Sequence, residues 1–365
     1  MCPASGTVGA FMVPDTTKPV NGTIKCQQIS GGDGYATMAD GTQTYMFSFG
    51  PLSGLANIAA GLPGTVTTDV FNTPFSMAAG TYLSPGDPAT TVNNGGAFSY
   101  NGAVGIMPDI DNNNLIDGHV DPRELMDVGV MNGNIPAPLM AIDEDDEFFL
   151  TLSNVGMIMR PDLFEQHTVH FHGYPNASSF YDGVPDASVA VNIGGSMTYY
   201  YLAPDAGTYF FHCHITPPEH LQMGMVGQLY VRPRQDRVPQ GNSLRSALIA
   251  QQGDLRTACN SSDILCSNPV PPANGVAHGI NKSGSPMLFT YNDGDGSTAY
   301  DVEYPIQIHG FDPNFHFVGM TFNPEGFADM KDKYFLLNGR SYPDTVTAGP
   351  MQTQTADGAS HFSQP

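Results

Sequence analysis

Two short histidine-rich strings constrain this chain more than any other feature. Six of its eleven histidines lie in them, beside one cysteine and two methionines. The first string is His167-Thr-Val-His170-Phe-His172-Gly, and the second begins His212-Cys213-His214 and continues to His220 and Met225. This density of imidazole, thiol and thioether groups predicts a metal site.

The spacing of these residues divides them between two faces. Successive side chains on a β-strand point in opposite directions. His170 and His172 therefore share one face. His212 and His214 also share a face, and Cys213 between them points the other way. One strand can thus hold two metal sites back to back, joined through the backbone of Cys213.

The ligand types favour copper. Two imidazoles, a thiolate and a distant thioether form the blue-copper pattern. We assign Cys213, His167, His220 and Met225 to this first site. The paired histidines of the other face suit a second copper site where O2 or another small oxidant binds. A closed zinc site is disfavoured because its four ligands must lie in one cage, and alternation separates them here.

With these motifs the sequence resembles the multicopper oxidases. The first string is similar to their third ligand motif and the second to their fourth, with a turn at 182–185 and a strand at 207–211 between them. The resemblance covers about residues 130–235. It implies type 1 copper ligands His167, Cys213, His220 and Met225. It also implies His170 at type 2 copper, with His172, His212 and His214 at the type 3 pair.

Copper nitrite reductases resemble the same stretch. They too have type 1 copper in the first domain, and their His-x4-His pair is matched by His167 and His172. They also have a longer loop between the ligand cysteine and the ligand histidine. In this chain His220 comes seven residues after Cys213, whereas the oxidases usually have a spacing of five. The reductases carry Asp at the position of His170 and a non-ligand at that of His214. The presence of histidine at both positions favours oxygen reduction over nitrite reduction, because a trinuclear oxygen site requires both.

Composition predicts an all-β chain. The 41 glycines and 30 prolines in 365 residues favour short strands and many turns. The resemblance implies a cupredoxin-like Greek-key β-sandwich or barrel. A net charge of −22 makes nucleic acid and anionic membranes poor partners. No run of about 18 apolar residues is present, so no membrane span is expected.

We expect four segments along the chain. Residues 1–22 form an N-terminal tail, and residues 23–233 form the first cupredoxin domain, with a long insertion at about 50–130. Residues 234–331 form an extended linker that packs on this domain. Residues 332–365 begin a second cupredoxin domain that is truncated, so the chain is interpreted as a fragment.

Three turn signals support this division. Asp40-Gly41 separates two strand-like runs within residues 35–49. An Asn-Gly turn followed by proline occurs at 132–138 and again at 338–343. The second copy marks the expected start of the next domain.

A run of oxygen ligands at alternate positions lies in the insertion. It resembles a calcium loop through Asp109, Asp111, Asn113, Leu115 and Asp117. Asn114 and Val120 depart from the EF-hand pattern, and an ordinary Asn/Asp turn cluster is the alternative. The acidic run at 143–147 is more typical of a solvated loop.

Four cysteines remain when Cys213 is a ligand. Cys259 and Cys266 close a short polar loop and are candidates for a disulfide, with Cys2 and Cys26 a weaker second candidate. Free thiols in a cytosolic protein are the competing interpretation. We expect a periplasmic or extracellular protein, although the first residues lack the pattern of a signal peptide.

The expected activity is that of a copper-dependent oxidase. A reducing substrate gives single electrons near His220, and they pass through Cys213 to a trinuclear site that reduces O2 to water. The reductant is Mn2+, Fe2+, Cu+ or a phenol; carboxylates beside His220 would favour a metal ion, and an apolar pocket a phenol. A nitrite reductase-like enzyme and a non-catalytic copper-binding or electron-transfer module are the alternatives.

The trinuclear site of this family uses eight histidines, of which this chain offers four. We expect a missing domain or another subunit to supply the rest. The remaining histidines form no H-x-H pair. We expect structural roles for His119, His278 and His361, and structural or supporting roles for His309 and His316.

Overall fold

The chain folds into β-structure with a few short helices, so the all-β prediction is confirmed. The computed structural model describes residues 2–3, 23–54, 57–58, 62–71, 133–157, 159–174, 178–203, 205–251, 276–319, 321 and 326–347, with short strands inside 75–116 and 352–362. The candidate calcium loop, from Asp109 to Asp117, lies outside these residues apart from the backbone of a two-residue strand.

The strands are numbered in chain order. They are β1 Ile24–Thr37, β2 Gln43–Pro51, β3 Val66–Thr67, β4 Phe75–Ser76, β5 Thr91–Asn93, β6 Ala97–Tyr100, β7 Ala103–Ile106, β8 Leu115–Ile116, β9 Ala137–Asp143, β10 Glu147–Gly156, β11 His170–His172, β12 Ser196–Leu202, β13 Gly207–His212, β14 Val226–Arg232, β15 Leu288–Phe289, β16 Ala299–Tyr300, β17 Ile308–Phe311, β18 Tyr334–Leu337, β19 Gln352–Gln354 and β20 Ser360–Phe362.

The α-helices are short and lie between strands. They are α1 Thr68–Phe71, α2 Pro217–Met223, α3 Leu244–Gln251 and α4 Pro313–Gly319. Single 3-10 turns occur at Ser179–Tyr181, Arg234–Arg237, Phe327–Asp329 and Asp344–Val346. None of the helices in the described ranges has the length and apolar run needed to cross a bilayer.

Two sheets form a sandwich from strands between residues 24 and 232. One has the strand order β12-β10-β1-β2, with β3 added beside β1, and the other has the order β11-β13-β14-β9. The chain passes from β10 in the first sheet to β11 in the second, back to β12, and again to β13. The pairs β1–β10 and β9–β14 are parallel, and the other pairs in these sheets are antiparallel.

A large apolar core lies between the two sheets. Alternate residues of β10 and β12 enter it from one side, as shown by the buried Leu150 and Tyr199. Phe171 and Phe211 enter it from the other sheet. Burial of such side chains contributes about 1.5 to 3 kcal/mol each. The histidines next to these two phenylalanines face the opposite way, so the core orients both ligand strands.

The hairpin predicted at Asp40-Gly41 joins β1 and β2. The pairing runs from Ile29 opposite Pro51 to Thr37 opposite Gln43, which leaves residues 38–42 as the turn. This turn is also where the later chain docks, because Met38 packs against β17 and β18. The β1–β2 hairpin and the segment after residue 300 are thus in direct contact.

Residues 144–147 of the acidic run are buried, so the interpretation of this run as a solvated loop is wrong. Glu144 is 1% exposed and Asp145 5% exposed. Arg234 explains this burial: its guanidinium donates two hydrogen bonds to Asp145, at 2.6 and 2.9 Å, and its backbone N–H donates to Glu144. Arg237 adds a further contact with Asp145 at 3.1 Å. The ion pairs join the sandwich to the chain that follows it.

A disulfide connects two cysteines outside the ligand strings. Cys2 and Cys26 are bonded, so the weaker of the two candidate pairs is confirmed. Cys259 and Cys266 lie outside the described residues. The disulfide ties the described N-terminal residues to β1.

Candidate metal centre

Paired strands bring the two histidine strings together. β11 and β13 are antiparallel neighbours, with His170 opposite His212 and His172 opposite Phe210. Phe171 lies between the two histidines of β11 and points into the core. The alternation predicted from the sequence therefore places two ligand clusters on opposite faces of the same strand pair.

The first cluster joins His167, Cys213 and His220. One ligand atom from each lies within 4.8 Å of the others, and all three side chains are buried. The Nδ1 atoms of His220 and His167 lie 3.2 and 4.0 Å from the Cys213 sulfur. Two imidazole nitrogens thus converge on one sulfur in a dry pocket. This donor set fits copper, with room for an ion among the three atoms.

Each member of the first cluster is held by a different element. His167 forms an isolated bridge with Val191 at the edge of the sandwich. Cys213 directly follows β13, and its sulfur accepts the backbone N–H of Thr168 at 3.4 Å. His220 lies on α2. The ring of Phe47, from β2, packs edge-on against His220 with centroids 5.0 Å apart.

Met225 lies beside this cluster, immediately before β14. Its side chain is buried, and its carbonyl accepts the N–H of Cys213 at 3.1 Å. A Cβ built on Gly31 would lie 2.6 Å from His167 Cδ2 and 3.4 Å from Met225 Cε. His167 and Met225 therefore converge over Gly31, where only a residue without a side chain leaves them room.

Opposite electrostatic effects act on the two histidines of the first cluster. Burial holds the pKa of His167 well below its usual value. Burial also disfavours the charged form of His220, but Cys213 and Glu165 outweigh it and raise the pKa to about 10. Glu165 Oε2 lies 3.4 Å from His220 Nε2. In the absence of metal, His220 thus holds a positive charge where a cation would bind.

The second cluster joins His170, His172 and His212 on the outer face. Their ligand atoms also lie within 4.8 Å of one another. His172 is exposed, His170 is partly buried and His212 is buried. His214 lies beside this group, with its ring 5.2 Å from that of His170 and 5.7 Å from that of His212.

Hydrogen bonds orient two rings of the second cluster. His170 Nδ1 lies 2.6 Å from the Asp182 carbonyl oxygen, and His212 Nδ1 lies 2.9 Å from the Cys213 carbonyl oxygen. Because carbonyl oxygens only accept, both Nδ1 atoms carry the proton and both Nε2 atoms keep a lone pair for a metal. Burial lowers the pKa of His212 to about 4, which favours the neutral, ligating form.

Cys213 connects the two clusters. Its sulfur belongs to the first, its neighbour His212 belongs to the second, and its other neighbour His214 lies beside the second. The carbonyl of Cys213 also accepts the hydrogen bond from His212. A short covalent path therefore runs from the sulfur to both outer histidines.

Several histidines lie apart from these clusters. His278, His309 and His316 are buried. Both ring nitrogens of His278 and of His316 face backbone carbonyl oxygens, which agrees with structural roles. His119 and the side chain of His361 lie outside the described residues.

Sequence reasoning did not find several residues that shape the site. Glu165, Asp182 and Gly31 all contact ligands or determine their space, yet each is an ordinary residue in a loop or strand. The signals available in the sequence were the position of Glu165 two residues before His167 and that of Asp182 in the turn at 182–185. Their roles depend on which distant residues they meet in the fold.

Part of the chain is similar in sequence to known copper proteins. A family model described as multicopper oxidase matches residues 116–236. The laccase abr2 of Aspergillus fumigatus is 31% identical over 109 residues, which are 29% of this chain and 17% of the laccase. A copper-containing nitrite reductase of Rhizobium meliloti is 34% identical over 119 residues, which are 31% of this chain and 28% of the reductase.

Among solved structures, the blue copper oxidase from Nitrosomonas europaea is similar to this chain at 16% identity. The TM-score is 0.41, and the likeness covers 91% of this chain and 57% of the oxidase. The chain spans less than a third of the curated relatives named here. The stretch that matches the multicopper oxidase family model contains both histidine strings.

Proposed function

We propose that this chain forms the electron-accepting half of a multicopper oxidase that oxidises a reducing substrate in single-electron steps and reduces O2 to water. The observation that carries this proposal is the position of Cys213 between His212 and His214, with its sulfur in the buried cluster, His212 in the outer cluster and His214 beside that outer cluster. Bound copper supplies the one-electron redox chemistry and the reaction with O2.

The residues have separate tasks in this proposal. His167, Cys213 and His220, with Met225 beside them, hold type 1 copper in the buried cluster. His170 holds type 2 copper, and His172, His212 and His214 serve the type 3 pair. The first set is buried, and a shell that limits solvent access in this way sets the redox potential of a bound metal. The second set is partly exposed, so small molecules can reach it.

The second cluster is half of a trinuclear site in this proposal. The four outer histidines lie on a face that the described part of the chain leaves partly open, as the exposed His172 shows. Four further histidines are needed for the family's cluster. We propose that another domain or another subunit supplies them against this face.

Glu165 supports a metal ion as the reductant. Its carboxylate contacts His220 at the outer edge of the buried cluster. The contact with His220 lowers the pKa of Glu165, so Glu165 is anionic at neutral pH. A fixed negative charge attracts a cation such as Fe2+, Mn2+ or Cu+, and the net charge of −22 adds to this attraction.

A phenol is the second candidate substrate. The neighbouring Phe164 is 82% exposed and offers an apolar surface beside Glu165. An aromatic ring could stack there. The carboxylate contacts the ligand His220 itself, so we rank the metal ion first.

A nitrite reductase-like enzyme is the alternative activity, favoured by the 34% identity to the Rhizobium meliloti reductase. His170 and His214 argue against it because they add imidazoles to the outer face. A non-catalytic electron-transfer module, with only the buried cluster in use, is the other alternative. For location, the Cys2–Cys26 disulfide supports a periplasmic or extracellular protein.

Copper reconstitution tests the proposal. The purified chain should bind about one copper that gives an intense blue absorption band, as expected for a cysteine-ligated type 1 site. Cys213→Ser should lose the band. His172→Ala, which changes only the exposed outer face, is the matched control and should keep it.

The outcomes separate the alternatives. A wild-type chain without a blue band would overturn the assignment of the buried cluster. About four coppers per chain with oxygen consumption would mean that an oligomer of this chain completes the outer cluster. Nitrite reduction without oxygen consumption would favour the reductase alternative.

A further inference from the structure

The helix that carries His220 has few restraints of its own. α2 has seven residues, and Thr216 before it makes no capping hydrogen bond through its side chain. Thr216 also has a φ of 37°, in the left-handed region that a β-branched residue rarely adopts. A short, strained and uncapped helix is not stable alone. The position of His220 therefore depends on contacts from elsewhere in the chain.

Such contacts reach the ligand loop, defined here as residues 220–226. Three of its carbonyl groups, at alternate positions, lie within hydrogen-bonding distance of side chains from other elements. The pairs are Gln222 with His316, Gly224 with Ser48, and Val226 with Gln307. Two of these three side chains come from residues 307–319, which follow the ligand domain in sequence.

His316 bridges the ligand helix and a core strand. One ring nitrogen lies 3.0 Å from the carbonyl oxygen of Gln222 on α2, and the other lies 2.6 Å from that of Tyr45 on β2. The ring is fully buried and stacks on Phe311 with centroids 3.9 Å apart. β2 also carries Phe47, which packs on His220. The strand β2 is therefore linked to the ligand helix through two rings.

The ring of His316 is a neutral bridge. Burial lowers its pKa to about 4. A neutral imidazole has one N–H, so it donates to Tyr45 or to Gln222 according to its tautomer. The remaining nitrogen still occupies the space beside the second carbonyl. Loss of the ring would leave both buried carbonyls without this neighbour.

A shift of Gln222 would reach the ligands directly. Gln222 lies two residues after His220 on one helical turn. The His220 carbonyl accepts the N–H groups of Gly224 and Met225, at 3.2 and 2.8 Å. His220 and Met225 therefore move with this turn. Cys213 is also linked to it, since its N–H donates to the Met225 carbonyl.

We propose that His316 is a positioning residue for the type 1 copper: by bridging β2 and α2, it fixes the distance of His220 from Cys213. This inference rests on the ligand assignment in the proposed function. Under this proposal residues 307–319 help to position a metal ligand, although they lie outside the sandwich that supplies the ligands.

Replacement of His316 by phenylalanine tests the inference. His316→Phe keeps an aromatic ring on Phe311 and removes both ring nitrogens. His278→Phe is the matched control. His278 is also buried, and its nitrogens face the carbonyl oxygens of Val238 and Met287 at 2.6 and 2.8 Å, away from both clusters. Both variants lose the same kind of bridge.

The measurements are the blue absorption spectrum, the midpoint potential and the copper affinity from competition with a chelator. In His316→Phe we expect a changed band, a shifted potential and copper affinity about tenfold weaker or more, the usual effect of losing a group that orients a ligand. In His278→Phe we expect lower thermal stability with all three copper properties unchanged.

A second substitution keeps the test decisive if the phenylalanine variant does not fold. His316→Gln retains an amide donor, and its copper properties should shift in the same direction by less. Wild-type spectrum, potential and affinity in the His316 variants, with a normal blue band in the parent, would overturn this inference alone. A parent chain without a blue band would overturn the ligand assignment and the inference with it.

Discussion

The carboxylate of Glu165 lies 3.4 Å from the Nε2 atom of His220, on the side of that ring away from Cys213. His220 thus has the sulfur at one nitrogen and a carboxylate at the other. Glu165 is partly exposed, whereas His220 is fully buried. A cation bound at Glu165 would be separated from the buried cluster by a single imidazole ring.

Glu165→Gln should therefore discriminate between substrates. In an enzyme with its outer cluster completed, kcat/KM for Fe2+ or Mn2+ should fall about tenfold or more, equivalent to about 1.4 kcal/mol. A neutral phenol should be oxidised at nearly the parental rate. Asp301→Asn removes one negative charge at an exposed site paired with Lys282 and is the control. Equal losses for metal ions and phenol in Glu165→Gln would contradict a cation site.

Gly31→Ala should displace His167, a ligand of the buried cluster. The added Cβ would lie 2.6 Å from His167 Cδ2, inside contact distance, so the ring must move. We expect weaker copper binding and an overpacking cost of about 1 to 3 kcal/mol in the metal-free chain. Copper titration and urea denaturation measure the two effects. Gly279→Ala is the control, because its added Cβ would contact only the flexible side chain of Met287. Unchanged copper affinity in Gly31→Ala would refute this interpretation of the site.

Arg234→Met should be strongly destabilising. Arg234 is buried and its guanidinium donates two hydrogen bonds to Asp145, so its loss leaves this buried carboxylate without its main partner. Breaking such a pair typically costs about 3 to 5 kcal/mol. Urea denaturation measures the change in the free energy of unfolding. The control is Lys282→Met, which breaks the exposed ion pair with Asp301 and should cause no measurable change. Similar stabilities for the two variants would show that the buried network contributes little.

Asp236 should make stability fall as pH rises. Burial raises its pKa to about 7, and its Oδ2 atom lacks a hydrogen-bond partner within the described residues. Its pKa in the unfolded chain is about 3.9. The folded form therefore binds the proton more tightly, so the stability from this group is greatest below about pH 4 and is lost as the pH rises through about 7.

Asp236→Asn removes that dependence. Denaturation at about pH 5 and about pH 7.5 should show a smaller loss of stability with pH than in the parent. The comparison with the parent is needed because burial also raises the pKa of Asp146, to about 6. Identical slopes for variant and parent would mean that Asp236 titrates normally in the fold.

Much of the metal centre follows from local sequence. His170 with His172, and His212 with His214, share faces because side chains alternate along any strand. Cys213 must then point the other way, and the observed clusters have this arrangement. The hairpin at Asp40-Gly41 is equally local. These predictions needed only the backbone geometry of neighbouring residues.

Other features required the tertiary fold. The run 143–147 is acidic and resembles a solvated loop, yet Arg234 draws it into the interior. Glu165 and Gly31 act on ligands that are distant in sequence or belong to another element. Their roles come from packing between elements, which the residue pattern of a single segment does not encode.

The sequence by itself determined which side chains can bind metal and which face each one takes, because those properties depend on residue type and on alternation over two positions. Only the tertiary structure decided which of them meet, which distant segment brings His316 against the helix that carries His220, and where a carboxylate reaches the site. Such contacts join residues that are remote in sequence, and their distances are set by the packing of whole sheets and helices.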